Sequence, residues 1–159
     1  EDALSSSAIA PHRLEIEVTE TALIEERQAA TAILTELAEQ GIGIALDDFG
    51  TGYSSLSYLH TLPFTKLKID RSFVLDIASN PRSLRLLGNV AQLGRDLDLV
   101  VTAEGVETED QLNLIAEHTT IDHIQGYLFG IPLPARDVSE LIARMARGSE
   151  PRTLTRKIG

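Results

Sequence analysis

An α/β fold of parallel strands is what three observations on this chain predict. Apolar runs of strand length alternate with stretches of helical periodicity from one end to the other. Hydrophobic residues fill 43% of the 159 positions but aromatics only 4%, with no Trp, so Leu, Ile, Val and Ala must build the core, as they do in packed helices and parallel strands. One face of every strand is small or polar, whereas the central strands of a doubly wound sheet are buried on both faces and read as apolar throughout. Helices outside and a polar lumen inside predict a (β/α) TIM-like barrel. Such barrels run to about 250 residues and eight strands. Five strands are visible here, so the expectation is an incomplete barrel, about its last five strands with their helices.

In chain order, Glu1 to Ala10 reads as the end of a helix stopped by Pro11, and the alternating run Leu14 to Val18 as the first strand. Thr21 to Gln40 carries Ile24, Ala30, Ile33, Leu34, Leu37 and Ala38 at helical spacing, with Gly41 as its C-terminal cap. Ile42 to Asp47 is the second strand, Ser54 to His60 a short helix, and Lys66 to Asp70 the third strand after Pro63. Asn80 and Pro81 open a helix whose apolar stripe is Leu84, Leu87, Val90, Ala91 and Leu93. Leu99 to Glu104 is the fourth strand. Thr108 with Gln111 spells a capping box for a helix through Leu112, Leu114 and Ile115, and Ile121 to Gln125 is the fifth strand. Asp137 to Ala146 is a last amphipathic helix. Residues 1–147 form the domain, and the polar, basic residues 148–159 read as a mobile tail or linker. The chain starts with Glu1 in mid-pattern, which suggests a piece of something longer.

A net charge of −10 disfavours DNA, RNA or an anionic membrane as bulk electrostatic partners. An anionic substrate would need local cations. The absence of cysteine excludes thiol chemistry and fits a cytoplasmic, reducing compartment. No run is apolar and long enough to span a membrane.

The chemistry gathers at strand ends: Glu17, Asp47 with Asp48, Lys68 with Asp70, Glu104, and Gln125. In an α/β barrel those ends form the active face. Two adjacent carboxylates followed by Phe49-Gly50-Thr51-Gly52 are a poor way to build a core and a good way to hold a hard divalent cation, Mg²⁺ or Mn²⁺. A strand terminus followed by a capped turn is the blander alternative. Five polar ends in register, with one Lys among them, suit two divalent cations and a water held against a phosphodiester. Lys68 could neutralise developing charge, and Glu104 could accept the proton of the water.

Five stretches together resemble the successive motifs of the EAL family of bacterial cyclic di-GMP phosphodiesterases. They are Glu17-Val18-Thr19-Glu20, Asp47 to Leu56, Leu67 to Val74, Ala103 to Thr108, and Gln125 to Phe129, in the family's order and with nearly its spacing. A departure of about one residue falls in the connection around His118 to Asp122. The resemblance covers the chain to about Leu141. It implies a barrel that opens cyclic di-GMP to linear pGpG by metal-assisted attack of water, in second-messenger signalling, with two Mg²⁺ or Mn²⁺ ions in the complete domain. By motif, Glu17 looks like a metal ligand, Asp47 the bridging ligand and Asp48 a ligand of the second metal. Lys68 looks like the water-orienting cation and Glu104 the base, with Asp70 and Gln125 near the substrate. Glu20 resembles the anchor of the glycine loop Phe49 to Ser55, which the family links to dimerisation and metal affinity. A homodimer and upstream sensor or other signalling domains are therefore implied partners. The family's Glu-Ala-Leu motif and its metal-binding Asn precede the matched region and are absent from these residues. This piece alone is accordingly expected to be inactive.

Rival readings are weaker. Asp48-Phe49-Gly50 also spells the kinase magnesium tripeptide, but no Gly-rich loop or His-Arg-Asp accompanies it. A phospho-receiver domain would want a lone acceptor Asp on a strand between the acidic pair and the Lys, and Lys68 lies on the very next strand. His12, His60, His118 and His123 lack metal-ligand spacing, and Arg82, Arg85 and Arg95 read as a solvated helix face. The serious alternative is a non-catalytic module that binds cyclic di-GMP or a protein partner.

Overall fold

The computed structural model describes residues 2–25, 27–52 and 57–145. After a short helix α1 (Asp2–Ser7) and a 3-10 turn at Pro11–Arg13, strand β1 (Glu15–Thr19) leads into α2 (Glu20–Glu25) and α3 (Arg27–Glu39). Then follow β2 (Gly43–Phe49), α4 (Ser57–Thr61), β3 (Lys66–Ile69), a 3-10 turn at Arg71–Phe73, and α5 (Pro81–Asp96). The chain continues with β4 (Val100–Ala103), α6 (Glu109–His118), β5 (His123–Ile124) and α7 (Ala135–Met145).

The strands form one parallel sheet in the order β1-β2-β3-β4-β5. A doubly wound sheet reverses its strand order at a switch point; this one never reverses. Right-handed crossovers that always advance the same way place every connecting helix on the same face. The result is a five-stranded segment of a (β/α) barrel wall. Under the helices lie two apolar clusters, one around Leu34, Ile44, Leu46 and Leu67, the other around Ile69, Leu87, Ala91, Val101 and Ile115. The opposite face carries the alternate residues, including a Lys66–Glu15 ion pair at 2.7 Å and Lys68 above it. The period-2 pattern thus assigns each strand residue to helix or lumen.

Helix boundaries follow from capping chemistry. Asn80 accepts the Arg82 N–H at 3.1 Å ahead of Pro81, and Thr108 with Gln111 makes both halves of the capping box. Buried Gln111 does more than cap: its amide donates to the Val74 carbonyl at 3.2 Å while its oxygen accepts from Glu107 and Thr108. That fastens the segment after β4, which carries Glu104, to the turn after β3. Gly41, at φ 84, ends α3 as its position predicts.

Several expected elements differ. The span Thr21 to Gln40 is covered by two helices, α2 and α3, with Glu26 between them outside the described residues. Strand β5 keeps only two of five expected residues, because the Asp122 carboxylate, rather than a strand carbonyl, takes the Val101 N–H at 2.8 Å. Just beyond it Gly126 lies so close to the Val106 backbone that a Cβ would sit 2.1 Å from the carbonyl oxygen. The tail expected at 148–159 and the first residues, 54–56, of the expected short helix fall outside the described residues.

Gly94, buried inside α5, sets how closely that helix approaches the sheet. A Cβ there would lie 2.5 Å from Val101 Cγ2 and 3.3 Å from Leu67 Cδ2. In an open helix Gly→Ala gains about 1 kcal/mol; here overpacking reverses the sign. Gly94→Ala is expected to lower stability by about 1–3 kcal/mol in urea unfolding. Gly88→Ala in the same helix, whose Cβ would meet only the His118 carbonyl at an ordinary 3.5 Å, should be neutral or stabilising.

Candidate active site

Because the strands are parallel, their C-terminal ends lie at one pole. There β1 brings Glu17, β2 brings Asp47 and Asp48, and β3 brings Lys68, with Asp70, Glu104 and Gln125 on the first residues past β3, β4 and β5. Lys68, with only 7% of its side chain exposed, sits at the centre. Its Nζ is 2.8 Å from Glu17 Oε1, 3.0 Å from Asp47 Oδ1 and 2.8 Å from Glu104 Oε1. Burial alone would push its ammonium down, but hydrogen bonds to Glu104, Glu17 and Asp47 outweigh that and hold it above the ordinary lysine value.

Adjacent strand residues normally point to opposite faces, so Asp47 and Asp48 should not converge. They do, because β2 carries an extra residue. Leu46 pairs with Leu67, but Phe49 pairs with Ile69, so three steps on β2 match two on β3. The bulge falls on the two aspartates, and Asp48 takes a left-handed backbone, φ 54. As a result oxygens of Asp47, Asp48 and Glu104 lie within 4.8 Å of one another, all three residues being half-buried. Burial, then the charges of Asp47 and Asp70, push the Asp48 carboxyl up, with Lys68 opposing. Asp70 behaves differently. Burial tends to raise it, but hydrogen bonds from Ser72 and the charge of Arg71 hold its carboxyl below the ordinary range.

Asp48, Asp70, Glu104 and Gln125 line a cavity of about 300 Å³ beside this cluster. Sequence reasoning missed three further lining residues, Arg71, Glu107 and Tyr127. Each lies one to three residues beyond a strand-end residue already singled out, which is the signal that could have found them. Glu20 stands apart. It is buried, at 2% exposure, and its Oε2 accepts the Gly50 N–H at 3.3 Å. Gly52 sits where a Cβ would be 3.3 Å from its carboxyl carbon.

Asp47, Asp48 and Glu104 fit a hard divalent cation: oxygen atoms only, half-buried and converging, while exposed Glu17 joins them only through Lys68, the one ammonium among these four carboxylates.

Strand-end acids of a (β/α) barrel gathered around one lysine define the class, a barrel with a cation-type site on its C-terminal face. The chain belongs to the EAL domain family, whose model matches residues 1–132. It is similar to the cyclic di-GMP phosphodiesterase NbdA of Pseudomonas aeruginosa, 42% identical over 88% of this chain and 18% of that protein. Among solved structures it resembles the phosphodiesterase MucR of Pseudomonas aeruginosa in complex with c-di-GMP (41% identity, TM-score 0.79, 86% of this chain and 55% of that one). It also resembles BlrP1 of Klebsiella pneumoniae, solved as a manganese and cyclic di-GMP complex (35% identity, TM-score 0.76, 82% of this chain and 33% of that one). The chain therefore spans about half of the MucR structure and about a fifth of NbdA. Among the described residues, no helix is long and apolar enough to cross a membrane.

The raised Asp48 carboxyl has a consequence for stability. Its folded value lies above its unfolded one, so without metal the fold holds the proton more tightly. Stability is then fullest below the unfolded value, near 4, and falls as pH rises through the folded one. Asp48→Asn is expected to raise the metal-free thermal midpoint at pH 7 and to weaken that fall, read by calorimetry in the presence of a chelator.

Proposed function

We propose that this chain carries most of the catalytic face of a phosphodiesterase domain that hydrolyses cyclic di-GMP to pGpG with two Mg²⁺ or Mn²⁺ ions, in bacterial second-messenger signalling. The single observation that supports this most is the convergence of Asp47, Asp48 and Glu104 on one another beside Lys68. Four carboxylates against one ammonium leave a pole that repels a substrate with two phosphates. Two divalent cations would reverse that sign, polarise the phosphodiester and favour ionisation of water.

Each residue then has a distinct task. Glu17 and Asp47 would hold the first cation, and Asp47 with Asp48 the second. With the cations bound, Glu17 and Asp47 would turn to them and release Lys68 donors, one of which would orient the attacking water, and Glu104, 2.8 Å from Lys68, would take its proton. The water oxygen would bond to phosphorus, one P–O ester bond would break, and the leaving oxygen would take a proton from solvent as the ring opens, Glu104 returning the one it took to solvent. Asp70 and Gln125 border the substrate cavity, where Arg71 supplies a cation and exposed Tyr127 an aromatic face. Glu20 anchors the glycine loop. A homodimer and upstream signalling domains complete the proposal.

The test is release of pGpG by the EAL domain extended upstream, followed by chromatography with Mn²⁺. Asp47→Asn is expected to abolish turnover with a smaller loss of binding. Lys68→Ala should lower kcat by at least 100-fold, on the scale of a lost transition-state donor (~10²–10³), and affinity far less. Equal losses in both would favour a binding module over an enzyme.

The ligand set implied for the first cation also includes a Glu and an Asn that residues 1–159 do not supply. Assayed alone with excess Mn²⁺, these residues are expected to show no hydrolysis above background, with activity restored in the upstream-extended domain. Comparable activity in the two would mean that the ligand assignment is wrong.

A further inference from the structure

We infer that Phe73 is a positioning residue for Asp48: its ring, resting on Gly50, holds the turn that aims the Asp48 carboxylate into the cation cluster. The inference rests on the cation reading of the site and deepens it. Convergence of Asp48 with Asp47 depends on a bulge and on a left-handed backbone at a non-glycine residue, neither of which the sheet itself favours. A one-residue slip in that pairing would turn the Asp48 side chain to the opposite face. Something outside the strand must hold it.

The turn that follows is tied to Asp48 directly. The Thr51 N–H and hydroxyl both donate to the Asp48 carbonyl, at 3.2 and 2.9 Å, and Gly50 between them takes φ 94. Gly50 is clamped from two sides. Its N–H donates to Glu20, and a Cβ on it would lie 2.4 Å from Phe73 Cε2 and 2.5 Å from Cζ. The ring edge therefore occupies the space a side chain would need, and the turn cannot shift towards it.

Phe73 is itself well fixed. Its N–H donates to the Asp70 carbonyl at 3.1 Å, the Asp70 carboxylate caps the same 3-10 turn through the Ser72 N–H at 3.0 Å, and the ring packs against the core cluster that contains Val74 and Ile77. A rigid strut thus runs from the end of β3 to the bulge in β2. Asp47 needs no such support, since Lys68 and the Asp48 N–H already hold its carboxylate. Loss of the ring is therefore specific to the Asp48 side of the site.

The experiment is Mn²⁺ titration of the EAL domain extended upstream, followed by the electron paramagnetic resonance of free Mn²⁺, beside thermal unfolding of each variant. Phe73→Ala is expected to weaken Mn²⁺ binding about tenfold and Phe73→Leu, which keeps the core filled, about threefold. Val74→Ala, a fully buried neighbour in the same cluster whose atoms are not the nearest to a Cβ on Gly50, should lose thermal stability yet bind Mn²⁺ within about twofold of wild type. In an Asp48→Asn background, Phe73→Ala should add less than about twofold, because the two changes remove the same ligand. Affinity within about twofold of wild type in both Phe73 variants overturns the inference. So does an equal loss in Val74→Ala, or full additivity with Asp48→Asn. Absence of Mn²⁺ binding by the wild-type extended domain would overturn the cation reading itself, and this inference with it.

Discussion

The Lys68 ammonium is the interaction on which the rest of this pole depends. It has three N–H donors and meets three carboxylates, one each from β1, β2 and the end of β4, at 2.8 to 3.0 Å. Hydrogen bonds along a sheet fix neighbours only, whereas this side chain ties three separate strand ends to a fourth. Its burial makes the tie demanding as well as strong, because a buried ammonium without partners is costly and carboxylates this close without a cation repel. Placement of the lysine on the central strand of five is what allows it to reach both sides.

Around that centre the acids divide by what binds them. Lys68 holds Glu17, Asp47 and Glu104, whereas the Asp48 carboxylate is crowded by Asp47 and Asp70. Backbone geometry adds to that cost, through a bulge and a left-handed residue at the point of use. Strain of this kind, of the order of 1–3 kcal/mol, persists where surrounding structure over-determines it. Here the surroundings are Glu20 and Phe73 on either side of Gly50. Asp tolerates the left-handed region better than most residues.

Much of this was legible in the sequence because it is periodic or local. Alternation along β1 to β4 placed Glu17, Lys68 and Glu104 on the lumen face without knowledge of any contact, and the capping box at Thr108 and the cap at Gly41 needed only neighbours in sequence. The bulge was not legible. Period-2 reasoning assigns Asp47 inward and Asp48 outward, and only the changed register between Leu46 and Phe49 brings both in. The contraction of β5 was hidden for a similar reason, since nothing local says that the Asp122 side chain will take a ladder N–H. Phe73 reads as one more apolar residue; its contact with Gly50 spans 23 positions and belongs to tertiary structure alone.

Asp48 and Asp70 show why the same residue type at two strand ends does not imply the same use. Both border the cavity, and burial acts on both in the same direction. Asp70 then receives the Ser72 N–H and the field of Arg71, which stabilise its charge and also occupy its oxygen. A carboxylate so engaged must give up a hydrogen bond before it can ligate a metal. Asp48 receives no such donor among the described residues and has only unfavourable neighbours apart from Lys68. A divalent cation would therefore gain more from Asp48 than from Asp70, even though Asp70 is the more acidic of the two. Between these two aspartates the difference lies in the hydrogen bonds already made rather than in acidity, and Asp70 supports the site through the turn it caps and the ring that turn carries.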